Sequence, residues 1–330
     1  MGQVMTVSGP IAPERLGAVL MHEHIYSDIA GMQEGPTPPE RVELLRAYCA
    51  PFLKRLNEYG CHGFVDCTPI PMRAEPWVYQ EMAARSGLNI VMSTGFYREA
   101  AADEARPCGA GIANRWLDPR IMEYDADAIA DIMVGEFEEG IHGSQVKPGI
   151  IKLASTSSEL TPGEVKTFQA GAKAQQQTGL AITTHVQGLG TAEAQLNTLE
   201  AAGADASRVI LGHTAWHVVE IPWVVRSLME RGAMFLLTNL RTDGPAQPMA
   251  RLVTEIRRLF DDGFGDHLAL GLDWAFENEQ GVFIPCSFMP PPPYIYMFTH
   301  TLPRFRELGL EEEALERMLV HNPARVLPMR

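Results

Sequence analysis

Residues 18–24 read AVLMHEH, a run of four apolar residues that ends in a His-Glu-His triplet. A short, uninterrupted apolar run predicts a strand that is buried on both faces, as in a parallel sheet. Seven further runs of this kind follow along the chain. The eight predicted strands span residues 18–21, 63–68, 89–94, 149–153, 180–184, 208–211, 233–237 and 267–272.

Apolar residues with helical spacing occupy segments between these runs, at residues 41–59, 78–86, 126–139, 163–178, 191–202, 221–230 and 249–261. Several segments end at a glycine just before the next run, among them Gly87 and Gly179, as is typical of a helix C-terminus. Eight strand–helix units in sequence predict a (β/α)8 TIM barrel rather than a doubly wound sheet. The sequence contains no internal repeat and no linker-like segment, so we expect residues 1–330 to form a single domain.

Charge and composition narrow the classes of function. The 330 residues include 27 Lys and Arg against 41 Asp and Glu, an excess of 14 negative charges. This excess argues against nucleic acid and anionic membranes as partners. The amino terminus lacks the basic and apolar segments of a secretion signal, and the five cysteines form no CxxC pair. We expect a cytoplasmic protein that acts on a small-molecule substrate, and we expect it to be a homodimer.

Side chains of metal-ligand type stand at the ends of the predicted strands. His22 and His24 are two residues apart, so on a strand they point to the same side and can share one ion. His185, His213 and Asp273 stand at the ends of the fifth, sixth and eighth predicted strands. Each of these residues alone is often only a hydrogen-bonded polar group. Because the carboxyl ends of barrel strands meet at one rim, the five together predict a metal site.

Lys152 lies inside the fourth predicted strand, in the sequence GIIKLA at residues 149–154. An unpaired ammonium amid such apolar residues would be costly. An ammonium also has no lone pair for a metal, so Lys152 fits a two-metal site only if its neutral amine has reacted with carbon dioxide. The resulting carbamate has two oxygens and can bridge two cations.

The remaining ligand-type residues divide between two divalent ions. We expect His22, His24 and Asp273 at the more buried ion, and His185 and His213 at the other. Zinc is the expected metal, and cobalt, manganese and iron also suit histidine and carboxylate ligands.

Short motifs around these residues are spread over nearly the whole chain: GPI at 9–11, LMHEH at 20–24, IK at 151–152, TH at 184–185, LGH at 211–213, LD at 272–273 and NPAR at 322–325. In these motifs and in their order, the sequence resembles the phosphotriesterase family of the amidohydrolase superfamily. The resemblance implies a distorted (β/α)8 barrel and a binuclear metal centre bridged by a carboxylated lysine. It also implies hydrolysis of esters, lactones, amides or phosphotriesters.

Within that family, the resemblance favours a lactone or a carboxylic ester as substrate. Organophosphate-hydrolysing members use an aspartate shortly after the histidine of strand six, whereas His213 is followed here by TAWH at residues 214–217. Tyr97 and Arg241 resemble the substrate-binding tyrosine and arginine of the lactonase-like branch. The alternatives are a packing role at the barrel mouth for Tyr97 and a solvated loop charge for Arg241. We expect His217 to be an ordinary surface histidine.

The predicted reaction is hydrolysis by a hydroxide that bridges the two ions, with Asp273 taking up its proton during attack. Phosphotriester hydrolysis and N-acyl amide hydrolysis at the same centre are the alternative activities. An alternative from another class is a metal-free barrel that binds a ligand without turnover. Lys152 argues against this last alternative, because a purely structural barrel has no need of a buried lysine.

Overall fold

The computed structural model describes residues 2–27, 36–70, 72–99, 121, 123–155, 157–242, 249–279, 282–285 and 291–330. Within these residues, eight parallel strands follow one another in chain order around a barrel wall, which confirms the predicted TIM-barrel fold. The barrel strands are β3 (Ala18–Glu23), β4 (Cys61–Asp66), β5 (Asn89–Gly95), β6 (Ile150–Ala154), β7 (Ala181–His185), β8 (Val209–Gly212), β9 (Met234–Leu237) and β10 (Leu268–Leu270). A hairpin of β1 (Val4–Thr6) and β2 (Gly9–Ile11) precedes them, and a second hairpin of β11 (Phe276–Glu279) and β12 (Val282–Pro285) follows them. Each barrel strand overlaps one of the predicted strands.

Helices occupy the outside of the barrel. They are α1 (Pro39–Leu44), α2 (Ala50–Arg55), α3 (Pro76–Ser86), α4 (Ala126–Glu139), α5 (Pro162–Thr178), α6 (Thr191–Ala201), α7 (Ala215–Glu220), α8 (Pro222–Glu230), α9 (Met249–Asp261), α10 (Leu302–Glu307), α11 (Glu312–Glu316) and α12 (Asn322–Val326). Single π-helical turns at Leu45–Cys49 and Arg317–His321 join neighbouring helices, and a third at Met297–Thr301 leads into α10. Short 3-10 helices lie at Pro13–Leu16, Leu56–Tyr59, Ile141–Gly143, Ala206–Arg208 and Gly265–His267. In the part of the chain that the structure describes, no helix is long and apolar enough to cross a membrane.

Helix α5 shows how local sequence sets the helix bounds. At its start, the Thr161 hydroxyl accepts a hydrogen bond from the Glu164 backbone N–H, and the Glu164 carboxylate accepts one from the Thr161 backbone N–H. This capping box satisfies two backbone donors that the first helical turn leaves unpaired. At its end, Gly179 adopts a left-handed backbone with a φ of 68°, which glycine adopts without steric cost. The predicted segment 163–178 is therefore delimited by signals at both ends.

Side chains alternate in direction along each barrel strand, so one set packs against the helices and the other fills the barrel interior. On β6, Ile151 and Leu153 face the helices, whereas Ile150 belongs to the core inside the barrel. Lys152 lies between the two helix-facing residues and is therefore directed to the barrel interior. Helix packing is close on the outer side, because a Cβ on Gly171 of α5 would lie 2.6 Å from Leu153 Cδ1.

The barrel closes irregularly between its first and last strands. Within the described residues, the paired strands run from β3 to β10, and no strand pairing joins β10 to β3. Instead, the Asp273 N–H donates to the His22 carbonyl and the His24 N–H donates to the Trp274 carbonyl, each over 2.9 Å. Gly271 allows this approach, since a Cβ there would lie 2.9 Å from the His22 nitrogen. We call this junction of residues 22–24 with residues 271–274 the seam.

Candidate metal centre

Five of the six predicted ligands lie at or just beyond the carboxyl-terminal ends of barrel strands, and Lys152 is the middle residue of β6. His22 is on β3 and His24 directly follows it, Lys152 is on β6, His185 ends β7, His213 directly follows β8, and Asp273 lies three residues beyond β10. Strand β3 contains one residue more between Leu20 and Glu23 than β4 contains between Phe64 and Asp66. Such a bulge interrupts the regular alternation of side chains where the ligands begin, and bulges commonly re-aim a side chain in this way.

The side chains form one contiguous cluster. His22 Nε2 lies 3.3 Å from Lys152 Nζ and 3.6 Å from Asp273 Oδ1. His24 Nε2 lies 3.2 Å from the same Asp273 oxygen. The second Asp273 oxygen, Oδ2, lies 3.6 Å from His213 Nδ1. Three of the other five predicted ligands, His22, His24 and His213, thus adjoin Asp273, and Lys152 adjoins His22.

His185 joins the cluster through His213. The centroids of these two rings are 4.4 Å apart, and the His213 and His22 rings are 4.5 Å apart. Ligand atoms of His22, His213 and Asp273 all lie within 4.8 Å of one another, so these three residues could hold one metal ion. The structure therefore brings together the whole predicted set, and the assignment of the residues to individual ions stays a prediction.

The hydrogen bonds of His213 and His24 leave one ring nitrogen of each imidazole directed for metal binding. Nδ1 of His213 lies 2.8 Å from Thr238 Oγ1, whereas its Nε2 is buried and has no hydrogen-bond partner among the described residues. On His24, Nδ1 lies 2.8 Å from Thr68 Oγ1. A hydroxyl on Nδ1 orients the ring and leaves Nε2 for an ion, the usual arrangement of a metal-binding histidine.

Asp66 supports His24 from behind. Its buried carboxylate accepts hydrogen bonds from the Ile25 N–H over 2.6 Å and from the Thr68 N–H over 2.9 Å. One carboxylate thus fixes both the residue after His24 and the threonine that contacts the His24 ring.

Burial and mutual charge set the protonation states in this cluster. Burial lowers the pKa of His213 to about 4, and burial together with the charge of Lys152 lowers the pKa of His22 well below its usual value. Burial likewise lowers the pKa of Lys152. For Asp273, burial acts to raise the pKa, but His213, His24 and Lys152 reverse that effect and lower it overall. Neutral imidazoles beside an ionised carboxylate are the forms that bind divalent metals.

Two of the ligands are held in a strained backbone conformation. The φ angles of His213 and Asp273 are 59° and 63°, in the left-handed region, and Asn239 after β9 has a φ of 57°. For residues with a Cβ this region costs on the order of 1 kcal/mol or more each, and such strain concentrates at functional sites. The chain thus turns sharply after three successive barrel strands to present side chains at the rim.

Comparison with known proteins assigns this arrangement to a family. Residues 2–327 match the sequence model of the phosphotriesterase family. The chain belongs to this family. A phosphotriesterase homology protein of Mycobacterium tuberculosis is 28% identical over 332 residues, which cover 99% of this chain and 98% of that protein.

Relatives with a stated activity are hydrolases. A phospho-furanose lactonase of Mycoplasmopsis synoviae is 26% identical over 343 residues, which cover 98% of this chain and 90% of the relative. Among solved structures, an organophosphorus hydrolase from Deinococcus radiodurans superposes with a TM-score of 0.80 at 27% identity, covering 98% of this chain and 96% of that chain. This chain is therefore a phosphotriesterase-family hydrolase.

Of the two residues that resemble the lactonase-like branch of the family, Tyr97 lies beside the predicted ligand His185. It follows β5, and its ring meets the His185 ring edge-on with centroids 5.5 Å apart. The Arg98 guanidinium lies 5.9 Å from the centroid of the Tyr97 ring. Arg241 lies four residues beyond β9 and is half-buried, with its backbone N–H donating to the Asn239 carbonyl. The predicted roles of Tyr97 and Arg241 in substrate binding stay predictions.

The expectation of a surface location for His217 is wrong. His217 is 3% exposed, and its Nε2–H donates to the Gly188 carbonyl over 3.0 Å. It ties α7 to the loop that follows β7, directly beside two ligand-bearing strands. A six-residue helix is too short for its apolar spacing to show which face is buried, so this contact could not be predicted from the sequence.

Besides Asp66, sequence reasoning missed three further polar residues that support predicted ligands. Thr68 and Thr238 contact the Nδ1 atoms of His24 and His213, and the Gln195 amide donates to the His185 carbonyl over 2.7 Å. The two threonines stand at strand ends, which is the signal that identified the ligands. Hydroxyls are not typical metal ligands, so residue type does not mark these two threonines as part of a metal site.

Proposed function

We propose that this hydrolase cleaves a lactone or a carboxylic ester with two divalent ions, zinc foremost. The proposed ligands are His22, His24, Lys152, His185, His213 and Asp273, with Lys152 carboxylated. The observation that carries the proposal is the position of Lys152 Nζ, 1% exposed and 3.3 Å from His22 Nε2 inside a ring of ligand-type side chains.

A carbamate on Lys152 follows from its surroundings. The lowered pKa of Lys152 increases the fraction of neutral amine, and only the neutral amine has a lone pair to attack carbon dioxide. The ammonium loses one proton to become the neutral amine, an N–C bond to carbon dioxide forms, and the nitrogen releases a second proton, so the lysine changes from a cation to an anion with two oxygens. Such an anion would attract divalent ions to the ligand cluster that Lys152 joins at His22, whereas an ammonium there would repel them.

Asp273 is the proposed proton acceptor. Bound divalent ions would lower the pKa of a water molecule that they share and would polarise the substrate carbonyl. As the water oxygen attacks the carbonyl carbon, Asp273 takes the proton and then delivers it to the leaving oxygen when the C–O bond breaks. The lowered pKa of Asp273 keeps the carboxylate ionised at neutral pH and ready to accept.

The residues around the centre favour a carbonyl substrate over a phosphotriester. The segment after His213 offers Thr214, Ala215 and Trp216 where organophosphate-hydrolysing members have an acid, and Trp216 is 41% exposed. Tyr97 adjoins His185 on the same rim. A lactonase among the relatives supports this choice, and the organophosphorus hydrolase among the solved structures supports the alternative.

The test is a comparison of kcat/KM under one metal condition for lactones, carboxylic esters, N-acyl amino acids and phosphotriesters. We expect the best lactone or ester to exceed the best phosphotriester. A ratio well below unity would assign the protein to organophosphate hydrolysis, and activity confined to the amides would assign it to amide hydrolysis. Analytical ultracentrifugation would test the proposed homodimer, and cell fractionation the proposed cytoplasmic location.

A further inference from the structure

Glu23 lies between two ligands in sequence but is directed away from them. Its side chain is completely buried. Carboxylate oxygen Oε1 accepts a hydrogen bond from the Leu272 N–H over 2.6 Å, and Oε2 accepts one from the Trp274 N–H over 2.9 Å. These two amides belong to the residues on either side of Asp273.

The backbone of Asp273 is thereby held from three directions. Its own N–H donates to the His22 carbonyl over 2.9 Å, so three consecutive N–H groups, at residues 272, 273 and 274, are all accepted by residues 22 and 23. Asp273 has a φ of 63°, a conformation that a non-glycine residue holds only when its surroundings impose it. The two hydrogen bonds to Glu23 supply that constraint at the seam, where strand pairing is absent from the described residues.

We propose that Glu23 is a positioning residue: its carboxylate fixes the left-handed turn at Asp273 and thereby sets the affinity of the metal centre without contacting an ion. This inference rests on the proposed metal centre. The proposed role differs from general stabilisation of the fold. Loss of the two hydrogen bonds to Glu23, which we call the clamp, would release the Asp273 carboxylate, which lies within 3.6 Å of His22, His24 and His213.

A carboxylate is required at this position for a geometric reason. Both oxygens of the Glu23 carboxylate accept hydrogen bonds, one from the Leu272 N–H and one from the Trp274 N–H. Glutamine has nearly the same shape, but one of the two atoms becomes an NH2 group that faces an N–H donor and cannot accept from it. Glu23→Gln therefore removes one hydrogen bond and leaves one buried donor unsatisfied while preserving volume.

Glu164 provides a matched control. Its carboxylate is also completely buried and also accepts two backbone N–H groups, from Thr161 over 3.0 Å and from Glu99 over 3.2 Å. It lies in the first turn of α5, outside the seam. Glu164→Gln thus makes the same chemical change without touching the turn at Asp273.

The experiment measures Zn²⁺ and Co²⁺ affinity by competition with a chromophoric chelator, and the visible spectrum of the Co²⁺ protein, for the unsubstituted protein and both variants. We expect both variants to lose thermal stability, but only Glu23→Gln to lose metal affinity, by ~10–100-fold, and to change the Co²⁺ spectrum. Equal affinities and spectra for Glu23→Gln and the unsubstituted protein would overturn the inference. Should Glu23→Gln fail to fold, Glu23→Asp keeps both oxygens but shortens their reach, and unchanged affinity in that variant would also overturn it.

Hydrogen exchange of the metal-free protein separates this inference from the proposed function. The amides of Leu272 and Trp274 should exchange faster in Glu23→Gln and at the original rate in Glu164→Gln. If the unsubstituted protein binds no metal, the proposed function fails. If the unsubstituted protein binds metal but Glu23→Gln does not change the exchange rates of these amides, the proposed role of Glu23 in fixing the turn at Asp273 is refuted.

Discussion

Replacement of Asp273 by asparagine separates metal binding from proton transfer. The carboxylate oxygens lie 3.2 Å from His24 Nε2 and 3.6 Å from His213 Nδ1, so an amide oxygen in the same place retains a ligand atom. An amide cannot accept a proton near neutral pH. The substitution thus removes the proposed proton acceptor while leaving much of the coordination in place.

The expected loss in kcat for Asp273→Asn is ~10²–10⁴-fold, the usual contribution of a general base, which corresponds to about 3–5 kcal/mol of barrier. The assay is kcat at saturating ester or lactone, with metal content measured on the same samples. The acidic limb of the pH–rate profile, which for the unsubstituted enzyme reports a carboxylate with a lowered pKa, should also disappear. A variant with bound metal, unchanged kcat and an unchanged acidic limb would refute the proton-acceptor role.

Lys152→Ala should lose metal and activity, and short carboxylic acids that replace the carbamate should restore part of both; metal analysis with and without added acetate or propionate measures this. Full metal content without an added acid would contradict the bridging role. The metal-free protein should lose stability as pH falls from about 6.5 to about 4, because the unfolded chain protonates His213 at its ordinary pKa and the folded chain resists protonation until its lowered pKa of about 4. The full loss is on the order of 3 kcal/mol, of which about 2 kcal/mol falls between pH 7 and pH 5. Urea unfolding at these two pH values measures it; the loss should shrink in His213→Gln, and equal losses in the two proteins would exclude this cause. Gly271→Ala should lower the free energy of unfolding by ~1–3 kcal/mol, because its Cβ would lie 2.9 Å from the His22 nitrogen. Gly135→Ala, with open space around the added methyl group, is the control and should leave the thermal midpoint unchanged or raise it.

The barrel could be predicted because each of its strands is short, apolar and isolated by helical segments. Burial on both faces produces a continuous apolar run, and eight such runs leave few alternative folds. The proposed ligands could be predicted from the placement of the strands, because residues at the carboxyl ends of barrel strands converge on one rim. Lys152 could be identified because an unpaired ammonium in a buried apolar strand is energetically costly unless it has a specific role.

The features that escaped prediction depend on contacts between distant segments. The bulge in β3 becomes visible only through its register with β4. The left-handed backbone at His213 and Asp273 could not be located from residue type, because histidine and aspartate are enriched in this region but adopt it at only a few of their positions. His217 was misplaced because its partner, the Gly188 carbonyl, lies on another loop.

The seam fixes the point in the folding process at which the metal centre is completed. Glu23 and Leu272 are hydrogen-bonded although 249 positions separate them in the chain. During synthesis the amino-terminal strands emerge first, so His22 and His24 exist for most of translation without the aspartate that completes their surroundings. Loop closure over so long a separation is slow relative to pairing between neighbouring strands. We therefore expect metal capture to be a late event, and a chain truncated before β10 would carry five of the six proposed ligands but lack Asp273.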